Sequence, residues 1–151
     1  MEWRSLKEVL FLPPTINNPS GITLDQVVTA VAQLTGDIFQ VPPMHSAIKV
    51  DGKRVYESAR QGIEVKMEAR PVQVREFEIT DFENKVIHFR ISCSKGTYIR
   101  SLARDLGEIL GVGAYMSSLC RTRIGEFKLS EAKELMSLVE EIKARPVHEN
   151  L

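Results

Sequence analysis

Apolar and polar residues alternate with two different periods along this chain. An apolar stripe with helical spacing runs from Val27 to Leu34, and Thr23 and Gln26 before it match the capping box of a helix N-terminus. Residues 72–79 and 86–93 alternate with the period of a β-strand. Helical and strand patterns follow each other without regular βαβ alternation. The pattern therefore predicts an α+β fold, a mixed β-sheet flanked by helices.

Shorter segments carry weaker patterns. The other predicted elements are a helix at 5–12 that ends at Pro13-Pro14, a loop at 13–21, a strand at 46–50 with a hairpin turn at Asp51-Gly52, a helical turn at 56–61, a strand at 63–67, a helix at 99–110 and an amphipathic helix at 129–142.

The composition narrows the class of protein. The chain has 151 residues, enough for one domain with a core, and its 20 Lys and Arg balance 20 Asp and Glu. Any anion-binding site must therefore come from local clusters of cations. Two cysteines form neither a disulfide framework nor a metal-ligand spacing, which favours a cytoplasmic setting. Residues 1–12 lack a signal-peptide or membrane-spanning pattern.

The segment 94–100 holds three functional side chains at one predicted strand-to-helix junction. Lys95, Tyr98 and Arg100 are a cation, an aromatic ring and a planar guanidinium, a combination typical of a site for a nucleotide or another anion. Arg100 could instead pair with Asp105 or Glu108 on the same helix. Tyr98 could equally be an ordinary core residue.

Two other segments concentrate cations. Residues 40–49 begin Gln-Val-Pro-Pro, an extended segment, and Lys49, Lys53 and Arg54 surround the predicted hairpin turn. In 119–127, the two arginines are two apart and would share one face of a strand. Both clusters suit phosphate groups, although a solvated hairpin or an exposed edge strand has the same composition. The histidines show no metal-ligand spacing, so no metal site is predicted.

These segments together resemble the tRNA pseudouridine synthase B (TruB) family. The similarity rests on residues 40–62, 93–111 and 119–127, with Arg70-Pro71-Val72 between them, and covers roughly residues 22–142. The resemblance implies a partial catalytic domain at 22–145, the C-terminal portion of the whole. An atypical segment at 1–21 precedes it and a tail at 146–151 follows.

The resemblance also implies a reaction and its residues. The family isomerises a T-loop uridine of tRNA, which is flipped into a pocket, and an Asp carboxylate acts without a cofactor. Arg100 would orient that carboxylate, Tyr98 would wall the uracil pocket, and Leu119 would pack against it. The expected partner is the T-arm of tRNA. The expected RNA contacts are Lys49, Lys53, Arg54, Lys95, Arg121 and Arg123.

One expected element is absent from these 151 residues. The family carries its catalytic Asp in a Gly-x-Leu-Asp-Pro-x-Ala-Thr-Gly motif upstream of the Gln-Val-Pro-Pro segment, and the sequence contains no such motif. Asp25 imitates it only superficially and fits the first turn of a helix. We therefore expect a truncated synthase, inactive by itself. The alternatives are a tRNA-binding fragment and a split-gene half that needs complementation.

Truncation has a structural consequence. It would leave an open sheet edge, which exposes unpaired backbone groups. We expect this edge to be covered by residues 1–20, by a partner chain or by self-association with a second copy.

Overall fold

The structure, a computed structural model, describes residues 3–11, 21–43, 49–50, 53–54 and 67–144. The strands are β1 (Trp3–Phe11), β2 (Gly36–Gln40), β3 (Lys49–Val50), β4 (Lys53–Arg54), β5 (Arg70–Glu83), β6 (Val86–Cys93), β7 (Tyr115–Met116), β8 (Arg121–Ile124) and β9 (Phe127–Lys128). The helices are α1 (Leu24–Gln33), α2 (Ile99–Ile109) and α3 (Leu135–Ala144), with a short 3₁₀ helix at Leu129–Glu131.

A seven-stranded sheet organises the described residues. Six strands follow the order β2-β5-β6-β1-β8-β9, and β7 pairs with β1. The pairings in this sheet are antiparallel, which refines the prediction of a mixed sheet. The helices α1 and α2 pack beside it, so the predicted α+β class is confirmed.

The N-terminal segment is a strand in the middle of this sheet. The helix predicted for residues 5–12 is wrong, because Trp3–Phe11 pairs with β6 on one side and with β7 and β8 on the other. A short apolar segment is compatible with either structure, and unpaired edges on both sides favour the strand. Residues 3–11 thus lie between β6 and β8, and the cover of an edge opened by truncation stays a prediction.

The local sequence pattern correctly predicted the helices α1 and α2. The Gln26 N–H donates to the Thr23 hydroxyl at 3.3 Å, and the Thr23 N–H donates to the Gln26 side-chain oxygen at 2.8 Å, which confirms the capping box. The helix predicted at 99–110 is confirmed as α2. The one predicted at 129–142 divides into the 3₁₀ helix and α3. None of the described helices is long and apolar enough to cross a membrane.

The core lies between one face of the sheet and these two helices. Side chains of β6 alternate, so that Ile87, Phe89, Ile91 and Cys93 are buried, whereas Arg90 is only half-buried on the other face. The buried partners are Val27, Ala30, Val31 and Leu34 of the α1 segment, Val74 and Phe77 of β5, and Leu102, Ala103 and Leu106 of α2. This packing holds the N-terminus of α2 at the end of β6.

Three predicted elements fall wholly or partly outside the described residues. The helical turn at 56–61 lies entirely outside them. Of the predicted strand at 46–50 only 49–50 are described, and of that at 63–67 only Met67, which is not in a strand. The predicted hairpin is confirmed, because Lys49 pairs with Arg54 and Val50 pairs with Lys53.

Candidate active site

The loop between β6 and α2 is anchored to the neighbouring strand β5. The Ser94 N–H donates to the Gln73 carbonyl at 2.8 Å, and the Gln73 N–H donates to the Ser94 hydroxyl at 3.0 Å. Gly96 turns the chain with a φ of +84°, a conformation that residues with a side chain rarely adopt. Tyr98 then caps α2 with extended backbone. The loop thus brings Tyr98 to the start of α2 in a defined conformation.

The Gln-Val-Pro-Pro segment meets this loop at Tyr98. The Tyr98 N–H donates to the side-chain oxygen of Gln40 at 2.7 Å, and the side-chain nitrogen of Gln40 donates to the Tyr98 carbonyl at 3.1 Å. The hydroxyl of Ser101 donates to the Val41 carbonyl at 2.9 Å, and the Arg104 guanidinium donates to the same carbonyl at 3.2 Å. Hydrogen bonds therefore hold the Gln-Val-Pro-Pro segment against the start of α2, although the two are distant in sequence.

A cleft of about 150 Å³ lies where these segments meet. It is lined by Gln40, Pro42, Arg70, Pro71, Val72, Lys95, Gly96 and Tyr98. Arg70 and Lys95 are exposed, whereas Tyr98 is half-buried. The cleft thus combines an aromatic residue with two cations, which suits a planar ring attached to an anion.

Arg100 and Leu119 are not among the residues that line this cleft. Arg100 is exposed in the first turn of α2, and Leu119 is 47% exposed in the loop between β7 and β8. Both carboxylates that the sequence suggested as partners of Arg100 contact Arg104. The distances from its guanidinium nitrogens are 2.6 Å to an Asp105 oxygen and 3.8 Å to a Glu108 oxygen.

Asp25 lies at the other end of α2. It lines a separate cavity of about 350 Å³ together with Ile109, the last residue of that helix. Since α2 has 11 residues, it is roughly 16 Å long. Asp25 is thus a helix length away from Tyr98 and Arg100, which argues against it as the carboxylate that Arg100 orients.

The predicted RNA-contacting cations fall into three groups. Lys95 lies at the cleft, Lys49, Lys53 and Arg54 lie on the β3–β4 hairpin, and Arg121 and Arg123 lie on β8. Lys49 and Arg54 are directly opposite each other across the hairpin.

The two arginines of β8 do not follow simple alternation. Arg123 is paired with Arg4 and Arg121 with Ser5, and the register shifts between these pairs. The shared face that the sequence predicts for these arginines depends on regular alternation, and the register between them is irregular. Arg123 also donates from Nε to the Gly125 carbonyl at 2.6 Å.

Cys93 is a core residue. It is 3% exposed, and burial raises the pKa of its thiol, although a hydrogen bond with Thr97 acts in the opposite direction. A thiol with a raised pKa carries little thiolate at neutral pH, which is a poor state for a nucleophile. The structure therefore favours the structural interpretation of this cysteine.

Sequence reasoning missed the role of Gln40. In the sequence this residue is recognisable only as part of a family motif, and nothing in the local pattern pairs a glutamine with a backbone 58 residues away. The one available signal is the Pro42-Pro43 pair shortly after it. Prolines have no N–H, so this segment cannot continue a regular strand or helix. Arg70 likewise belongs to a motif of the family, but the sequence did not predict it as a site residue.

Comparison with known proteins places the chain in a family. The model described as TruB family pseudouridylate synthase (N terminal domain) matches residues 13–99. The model described as tRNA pseudouridylate synthase B C-terminal domain matches residues 100–149. The family match is thus longer than the resemblance at residues 22–142, and it begins within the segment that the sequence analysis considered atypical.

Individual relatives agree with these matches. The tRNA pseudouridine synthase B of Aromatoleum aromaticum is 51% identical over 120 residues, covering 80% of this chain and 39% of the relative. That of Chlorobaculum tepidum is 50% identical over 114 residues, covering 75% of this chain and 48% of the relative. The chain therefore spans between about two fifths and half of the length of these relatives.

Solved structures share the fold. The crystal structure of a Cbf5–Nop10–Gar1 complex matches with a TM-score of 0.69 at 29% identity, covering 92% of this chain and 35% of that one. The structure of an H/ACA RNP bound to a substrate RNA matches with a TM-score of 0.58 at 25% identity, covering 85% of this chain and 30% of that one. Because a family model matches more than half of its residues, the chain belongs to the TruB family of pseudouridine synthases.

Proposed function

We propose that this chain forms part of a tRNA pseudouridine synthase that acts on a T-loop uridine. The supporting observation is the cleft of about 150 Å³, where residues of all three segments Gln40–Pro42, Arg70–Val72 and Lys95–Tyr98 meet. A cavity of about this volume accepts a single six-membered ring. The cations at its rim suit the phosphates of an RNA strand.

Each side chain then has a task in the isomerisation. The uridine leaves its stack and enters the cleft, where Tyr98 walls the uracil ring and Leu119 closes it from the β7–β8 loop. Arg100 orients the catalytic Asp carboxylate through its planar guanidinium. The glycosidic carbon–nitrogen bond breaks, the uracil turns, and a carbon–carbon bond forms. The C5–H bond breaks as the carbon–carbon bond forms, and N1 of the uracil ring gains a proton, so product and substrate are isomers and no co-substrate is consumed.

The carboxylate is the group that these 151 residues do not supply. We therefore expect the 151-residue polypeptide to release no tritium from a T-arm RNA labelled at C5 of uridine, because the new carbon–carbon bond forms at that carbon. Addition of a segment that carries Gly-x-Leu-Asp-Pro-x-Ala-Thr-Gly should restore release. In that complex, Arg100→Ala should lower the rate by at least roughly tenfold, as for other groups that position a catalyst.

Asp25 provides the control for this experiment. Asp25→Asn should not change the rate of tritium release in the complemented complex, since Asp25 lies at the far end of α2. Substantial turnover by the 151-residue polypeptide, abolished by Asp25→Asn, would contradict the proposal that the catalytic carboxylate comes from another segment.

Binding of RNA is expected even without turnover. The polypeptide should bind a T-arm hairpin with an affinity that falls as salt rises, because cations that contact phosphates release counterions. Arg121→Ala should weaken binding and lower the slope of log affinity against log salt by about one unit. Filter binding at several salt concentrations measures both quantities.

Lys133→Ala is the matched control for charge. Lys133 already contacts Glu141 at 2.8 Å, so its removal should leave the salt slope unchanged. If the T-arm RNA hairpin does not bind to the polypeptide at low salt, the chain is not an RNA-binding fragment. The remaining alternative is then a split-gene half, active only with the complementing segment.

A further inference from the structure

The buried amide of Gln40 makes an unusual pair of contacts. Its side chain is 1% exposed, and both of its polar ends bind the backbone of one residue, Tyr98. The Tyr98 N–H precedes the helix and has no acceptor within it, so it needs a partner from elsewhere. The amide oxygen supplies that partner, and the amide nitrogen binds the carbonyl of the same residue.

The next residue of the segment strengthens the connection. The Val41 carbonyl accepts from the Ser101 hydroxyl, which is also buried, and from Arg104 one turn further along α2. The last residue of β2 and the residue that follows it are therefore tied to the N-cap and the first two turns of α2. The direction in which α2 leaves the sheet is set at this point.

We propose that Gln40 is a positioning residue, whose amide fixes the backbone at Tyr98 and thereby aims the side chains of Tyr98 and Arg100. Tyr98 lines the cleft, and Arg100 follows two residues later in the first turn of the same helix. A shift of the Tyr98 backbone would move both. That these side chains serve pseudouridine formation rests on the proposed function, whereas the orientation itself does not.

Gln40→Glu tests the role of the amide without a change in shape. A protonated carboxylic acid can still donate to the Tyr98 carbonyl and accept from its N–H. An ionised carboxylate cannot donate, and it repels the carbonyl oxygen. Burial raises the pKa of a carboxyl group. Both hydrogen bonds should thus form at low pH. As the pH rises through this raised pKa, the bond to the Tyr98 carbonyl is lost, whereas the carboxylate still accepts from the Tyr98 N–H.

Hydrogen exchange at Tyr98 reports the contact directly. The chain has three tyrosines, so selective ¹⁵N-tyrosine labelling gives few amide signals, and Tyr98→Phe identifies that of Tyr98. In the native protein, protection of this amide should not depend on pH. In Gln40→Met, which can neither accept from the Tyr98 N–H nor donate to the Tyr98 carbonyl, protection should be lower by roughly tenfold or more at about pH 5 and at about pH 8, the effect of one lost buried hydrogen bond. In Gln40→Glu it should stay near native at both pH values, because the acid and the carboxylate both accept from the Tyr98 N–H.

Two controls separate positioning from general destabilisation. Gln33→Glu changes an exposed glutamine at the end of α1 and should leave Tyr98 protected at both pH values. The Tyr115 amide in the same spectra should stay constant in Gln40→Glu. If Gln40→Met fails to fold, Gln40→Glu still decides the question, because ionisation of a carboxyl group next to the Tyr98 backbone should move the Tyr98 amide signal with pH.

The outcomes are distinct. Native protection of Tyr98 in Gln40→Met, or a Tyr98 amide signal in Gln40→Glu that does not move with pH, overturns the proposal. If protection falls in Gln40→Met but tritium release in the complemented complex does not fall with it, Gln40 does not position the reacting side chains. If even native Gln40 gives no release there, the proposed function fails while the exchange result still decides the orientation.

Discussion

A proline at Leu10 is expected to detach β1 and destabilise the whole sheet. Leu10 is paired with Ile87 of β6 and with Met116 of β7. With a strand on each side, its N–H points into one ladder or the other, and proline has no N–H to donate. The carbonyl left unpaired costs about 1–3 kcal/mol, to which the distorted strand adds. Natural domains have only about 5–15 kcal/mol of stability in total.

The single tryptophan of the chain makes this change visible. Trp3 lies in β1, so its fluorescence reports the docking of that strand, while far-ultraviolet circular dichroism reports the remainder. Urea unfolding of Leu10→Pro should show a lower midpoint by both signals. Leu10→Ile, which retains the N–H and favours strands, should stay close to the native protein. An unchanged midpoint in the proline variant would mean that β1 is not an interior strand.

Gly107→Ala should destabilise the protein by about 3 kcal/mol, at the upper end for added volume in a packed site. An added Cβ would overlap the backbone of Gly113 and Ala114, and would lie 2.6 Å from the Ala114 Cβ. These atoms cannot move aside as a flexible side chain would. The Gly107 carbonyl also accepts from the N–H groups of Val112 and Gly113, so α2 and this loop cannot separate without loss of both bonds.

Gly21→Ala is the matched control for this substitution. No atom lies within 4 Å of the position that its Cβ would take. Its midpoint of thermal unfolding should therefore shift little, by the equivalent of about 0.5 kcal/mol at most. Equal midpoints for the two variants would show that the close approach at Gly107 does not contribute to stability.

Elements defined by neighbouring residues were predictable from the sequence. The capping box of Thr23 and Gln26 acts over three residues, and the alternation of β6 follows from burial of one face. The functional segments were recognisable for a similar reason, since residue types at fixed spacing in 94–100 are visible without a fold. Their assignment to a family was confirmed by the family models.

Elements decided by distant residues were not predictable. The segment Trp3–Phe11 has a local pattern that permits a helix, and only the unpaired edges of β6 and β8 make it a strand. The irregular register between β1 and β8 likewise exists only in a paired sheet.

The sequence by itself thus determined the residue types of the candidate site and the helix that carries Tyr98 and Arg100. Only the tertiary structure decided what surrounds them. Gln40 and Tyr98 are joined across 58 residues because a buried amide and a helix-start backbone each need a polar partner that their own neighbours do not provide. The hydrogen-bond partner of such a group can come from any part of the chain, so the local sequence pattern does not predict which residue it is.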